Sequence, residues 1–110
     1  MAARFPVSTE NLLADLFPGA RGAARMRLLG LLAIVLAFQG SERATPAGLA
    51  ALTGRSAAVI RRDLRTLAAL DLVERTRPPG ARSARLRVKE NARTNRLAAA
   101  LARGLGLEPA

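Results

Sequence analysis

Arginine is the residue type through which this chain could do chemistry. Seventeen of its 18 basic residues are Arg, and Lys89 is the only lysine. A guanidinium stays charged at any working pH. Its planar fork of donors matches phosphate oxygens and the O6/N7 edge of guanine. Two groups stand out by their spacing. Arg55, Arg61, Arg62 and Arg65 surround a stretch with helical periodicity, and Arg77, Arg82, Arg85 and Arg87 surround a Pro-Pro-Gly break. Residues 55–96 hold twelve basic and four acidic side chains, a net +8 of the chain's total of +10. Such a balance points to an anionic partner. A GC-rich coding sequence also raises Arg over Lys, but it does not explain the excess of basic over acidic residues.

Other chemistries are thin. His and Cys are both absent. That excludes a disulfide scaffold, a Cys/His zinc site, a thiol nucleophile and a Ser-His triad. Eight carboxylates remain, and Asp63, Asp71 and Glu74 read as ordinary surface positions with no convergent acid–base pair. Asp63 has a second reading, in which it pairs with a neighbouring Arg and fixes its rotamer. No enzyme, metal or cofactor is expected. Tyr and Trp are also absent, which argues against base-stacking platforms for single strands.

The elements that must position these arginines follow from pattern. The 110 residues can bury one modest core, and 24 Ala and 19 Leu make it aliphatic and favour helices. A short helix is expected after Ser8 or Thr9, carrying Leu12, Leu13, Leu16 and Phe17, and ended by Pro18-Gly19. A long helix over 20–38 begins basic and becomes apolar nearly all round, so it is buried on several sides. Thr45-Pro46 caps a short helix over 46–52. Gly54 suits the left-handed residue of a tight turn. Ser56 then caps a helix over 57–70. Its inward stripe is Ile60, Leu64, Leu67 and Leu70, which leaves Arg61, Arg62 and Arg65 outside.

After residue 72 the period changes to two. Ala84, Leu86 and Val88 alternate with Arg85, Arg87 and Lys89, the pattern of a half-buried strand with a basic outer face. With the preceding LVERTR segment it makes a hairpin. The adjacent Leu72 and Val73 leave the register of the first strand open. Asn91 or Thr94 caps a last helix over 92–103, with Leu97, Leu101 and Leu105 as a ridge. The expected fold is mainly α with a small β-hairpin. It divides into an N-terminal arm (1–19), a central domain (20–90) and a C-terminal helix for packing or dimerisation (91–110).

The longest apolar run, residues 28–38, has eleven residues, whereas a spanning helix needs about 20. It reads as a core helix, and a cytoplasmic protein is expected.

Helix, short helix, tight turn, helix, basic hairpin is the order of a winged helix-turn-helix. Residues 45–88 resemble that superfamily. Within them, SAAVIRRDLRTLAALDLVER (56–75) resembles the recognition-helix segment of DeoR-type bacterial repressors. Those carry a similar Ser-x-x-x-Ile-Arg-Arg-Asp-Leu run, then Leu at helical spacing, then a Leu-Val-Glu-Arg strand. MarR-type and ArsR-type regulators share the looser pattern. No sugar-phosphate-binding domain follows, so such an effector is not carried over.

The resemblance implies a DNA-binding transcriptional regulator in the nucleoid. Arg55, Ser56, Ala58, Val59, Arg61, Arg62 and Arg65 would face the major groove. Arg77, Arg82, Arg85 and Arg87 would lie on flanking phosphate or the minor groove. No Asn or Gln stands on the helix, so readout would rest on Arg and on Val59 against a thymine methyl. The partner is double-stranded DNA, bound by a homodimer, because one recognition helix reads few base pairs. The long helix and the C-terminal Leu ridge are the dimer candidates. The alternatives are a winged protein-interaction module and a non-specific architectural, replication or partition protein. No residue marks a small-molecule effector.

Overall fold

The computed structural model describes residues 12–104. The expected capping residues Ser8 and Thr9, and Leu105 of the C-terminal ridge, lie outside them. The described chain is mainly helical with one two-stranded antiparallel sheet. Helix α1 is described over 12–16. It is followed by α2 (Gly22–Phe38), α3 (Pro46–Thr53), α4 (Ala57–Ala69), β1 (Val73–Thr76), β2 (Arg85–Val88) and α5 (Ala92–Gly104). No helix among the described residues is long and apolar enough to cross a membrane.

The caps explain where the helices start. The Thr45 hydroxyl accepts the Gly48 N–H at 3.0 Å, and Pro46 fills the first turn, where a missing N–H costs nothing. The Ser56 hydroxyl accepts the Val59 N–H at 3.2 Å. Asn91 and Thr94 cap α5 reciprocally. The Asn91 side chain accepts the Thr94 N–H at 3.0 Å, and the Thr94 hydroxyl accepts the Asn91 N–H at 3.0 Å. Between α3 and α4 the chain reverses through Gly54 in the left-handed region, φ 72°.

One core joins all the elements. Leu12, Leu16 and Phe17 of the first segment, Leu28, Leu31, Leu32 and Val35 of α2, and Leu49 of α3 belong to it. So do Ile60, Leu64 and Leu67 of α4, Leu72 and Val73, Leu86 and Val88, and Leu97 of α5. Phe17 is the largest fully buried side chain; the rest of the core is almost all Leu, Ile and Val. Leu97 therefore packs inside its own chain, and Leu101 rests partly buried against the same core. Arg93 ties the ends together. Its guanidinium donates to the Leu70 carbonyl at 2.7 Å and the Asp15 carbonyl at 3.2 Å.

The hairpin register pairs Val73 with Val88, Glu74 with Arg87, Arg75 with Leu86 and Thr76 with Arg85. The adjacent Leu72 and Val73 are both buried because only Val73 is in the strand. Leu72 completes the turn out of α4, its N–H on the Leu67 carbonyl at 3.0 Å. That turn holds Asp71 at φ 65°, a left-handed conformation unusual outside glycine. On the other edge of β2, the Leu86 N–H donates to the Ala44 carbonyl at 2.7 Å, so the segment before α3 lies alongside the sheet.

Candidate nucleic-acid interface

Helix α4 is one-sided. Ile60, Asp63, Leu64 and Leu67 are buried, and Ala58, Arg61, Arg62, Arg65 and Thr66 are exposed. The two sets follow the helical repeat, so packing of the first on α2 and α3 turns the second outward. Arg55 and Ser56 are exposed at the N-terminal end of α4, where the helix's own amides add partial positive charge. Val59 is half-buried beside them. The first turn thus carries only small side chains, with Arg55 just before it and the next cations, Arg61 and Arg62, one turn further on.

The hairpin offers the second set. Arg77 and Arg82 are exposed in the connection between the strands, Arg87 is exposed on β2, and Arg85 is half-buried. Leu86 and Val88 alternate with them and face the core. Arg85, Arg87 and Thr76 line an open cleft of about 560 Å³ together with Gln39 and Gly40. Gln39 fixes this edge: its side-chain oxygen accepts the Val88 N–H at 2.8 Å.

Carboxylates neutralise only part of the charge. Glu74 lies 3.3 Å from Arg87, its cross-strand neighbour, and Asp71 lies 2.6 Å from Lys89. The hydrogen bond and charge of Asp71 hold the Lys89 ammonium above the usual lysine pKa range. Asp15 takes Arg96 at 2.7 Å. Arg55, Arg61, Arg65, Arg77, Arg82 and Arg85 form no ion pair among the described residues. With Arg75 of β1, these make up most of the cations without an ion pair among the described residues; Arg21, Arg25, Arg43, Arg93 and Arg103 lie elsewhere.

One expectation is overturned here. Asp63 is not an ordinary surface residue: it is 2% exposed and sits within the inward stripe of α4. Arg27 of α2 meets it at 2.8 Å, and Arg62 at 3.4 Å. The spacing 60–63–64–67 carries this signal, but an Asp among Leu and Ile hides it. Its partner, 36 residues earlier, has no local signature at all. Among the described residues, no group of three or more carboxylates gathers where a metal ion could be held.

Compared with models of known families, with characterised proteins and with solved structures, the chain matches none.

Proposed function

We propose that this chain is a winged helix-turn-helix DNA-binding protein acting as a transcriptional regulator, with α3 and α4 as the helix-turn-helix and the hairpin as the wing. The observation that carries the reading is the exposed face of α4. It combines a small-residue first turn at Ser56 and Ala58 with internally uncommitted Arg61 and Arg65. Small residues let a helix approach the floor of the major groove, and Arg one turn on reaches guanine edges or flanking phosphates. Arg77, Arg82 and Arg85 extend the basic surface to the hairpin, where contacts to phosphate fix orientation.

The reading includes a homodimer. The burial of Leu97 inside its own chain favours the outer face of α2 over the C-terminal ridge as the contact. That face is exposed at Ala23, Gly30 and Ala37, and Met26 is 67% exposed, the one large apolar side chain so open among the described residues. Sedimentation of Met26→Glu checks it: a shift from dimer to monomer is expected, and an unchanged profile moves the interface elsewhere.

The function is tested by titrating the protein with a random-sequence duplex library at two salt concentrations and sequencing the retained fraction. Enrichment of an inverted repeat, with half-sites about one helical turn apart, supports a dimeric sequence-reading regulator. Salt-dependent retention without enrichment replaces it with an architectural role. No retention at low salt removes DNA and leaves a protein-interaction module.

A further inference from the structure

Asp63 receives two guanidiniums, and both use the same nitrogen. Arg27 donates its Nε to one carboxylate oxygen at 2.8 Å, and Arg62 donates its Nε to the other at 3.4 Å. The carboxylate side chain is 3% exposed, whereas Arg27 is 28% and Arg62 57% exposed. One negative charge needs one cation for neutrality, so this cluster carries a surplus positive charge. Binding through Nε leaves the two terminal amino groups of each guanidinium uncommitted, and neither residue donates them to another group among the described residues.

We propose that Arg27, held by the buried Asp63, is a DNA-phosphate-binding residue that works beside Arg62 at the junction of α2 and α4. This rests on the DNA-binding reading above and adds α2 to that surface. The terminal edge of a guanidinium is a two-pronged donor for a phosphate, and anchoring Nε on a carboxylate removes most of its rotamer freedom before binding. Burial keeps the Asp63 oxygens behind the two forks, so an approaching phosphate meets donors first. A purely structural ion pair in this position would be served equally well by lysine. A phosphate-binding one would not, because lysine has a single ammonium that Asp63 already occupies.

The test uses that difference. The full chain and its R27K variant are titrated with duplex DNA across about 50–200 mM salt, and the slope of log affinity against log salt is measured. R27K is expected to keep the wild-type thermal midpoint and to lower the magnitude of the slope by about 0.9 per chain, one phosphate contact. Arg27→Gln, whose amide still donates to Asp63, is expected to give the same loss and serves if the lysine variant does not fold. A wild-type slope in a folded variant overturns the assignment while leaving the DNA-binding reading intact. Failure of the wild-type protein to bind duplex DNA at low salt overturns both.

Discussion

The backbone carbonyl of Arg43 lies so close against Gly48 that a Cβ on residue 48 would overlap it. Glycine is therefore required there by sterics, since φ at this position is unexceptional. The contact seats the first turn of α3 on the connection from α2, the same connection that lays Ala44 beside β2. Gly48→Ala forces backbone to move and should cost about 1–3 kcal/mol in urea unfolding. Gly30, in the middle of α2, is the control. Within the chain nothing lies within 4 Å of its would-be Cβ, so Gly30→Ala should stabilise the fold by about 1 kcal/mol when read in the Met26→Glu background, which removes the proposed α2 contact.

Removing Asp63 should be costly. Asp63→Ala strands Arg27 against the core with no counter-charge. Breaking a buried pair costs about 3–5 kcal/mol, and the partial exposure of Arg27 reduces this to about 2 kcal/mol. The double variant R27M/D63L replaces the pair with packed apolar groups and should recover wild-type stability or better. Denaturant midpoints of the three proteins check this. A double variant less stable than Asp63→Ala alone would show that the pair is not isolated from its surroundings.

Arg61 and Arg65 should separate folding from binding. Both are exposed and make no internal ion pair, so R61A/R65A should unfold within about 0.5 kcal/mol of wild type. Duplex affinity at fixed salt should nonetheless fall. Loss of enrichment for one sequence marks base readout, and a uniform loss with a shallower salt slope marks phosphate contact. R77A/R82A should show the second pattern only.

Titration should be nearly silent around neutrality. With no His and no Cys, no side-chain type in the chain ionises between about pH 6 and 9, so stability and any nucleic-acid affinity should stay flat there. Lys89 is the single lysine and Tyr is absent, so alkaline loss should trace to this ammonium. Its pKa is raised in the fold by Asp71. The stabilisation it confers is complete below the usual lysine pKa and disappears as pH rises through the raised value. Lys89→Arg should remove that alkaline decline, measured by chemical unfolding across the range.

The local parts of this architecture were legible from the sequence, and the reasons are local too. Thr45, Pro46, Gly54 and Ser56 each act on their nearest neighbours, and α3 and α4 begin where those residues require. The basic strand was legible because alternation needs only five consecutive residues. Helix α2 starts at Gly22 rather than residue 20, because Arg21 is still extended. What escaped were bonds between distant segments: Asp63 with Arg27, Val88 with Gln39, Leu86 with Ala44. None has a spacing to read, because each is set by how helices and strands stack after they form.

Two of those bonds begin on the same helix. Arg27 fastens α2 to α4, and Gln39, the residue that ends α2, fastens it to β2. They stand twelve positions apart along the helix, a rise of about 18 Å. Helix α2 is thus a gauge block between the two basic surfaces, and its pitch sets their separation and mutual angle. One residue inserted between these anchors would turn Gln39 by about 100° and slide it about 1.5 Å, breaking the alignment of hairpin and helix at once. Four inserted residues, about one turn, would restore the facing but lengthen the gauge by about 6 Å, so any template matched to the original spacing would no longer fit both surfaces together.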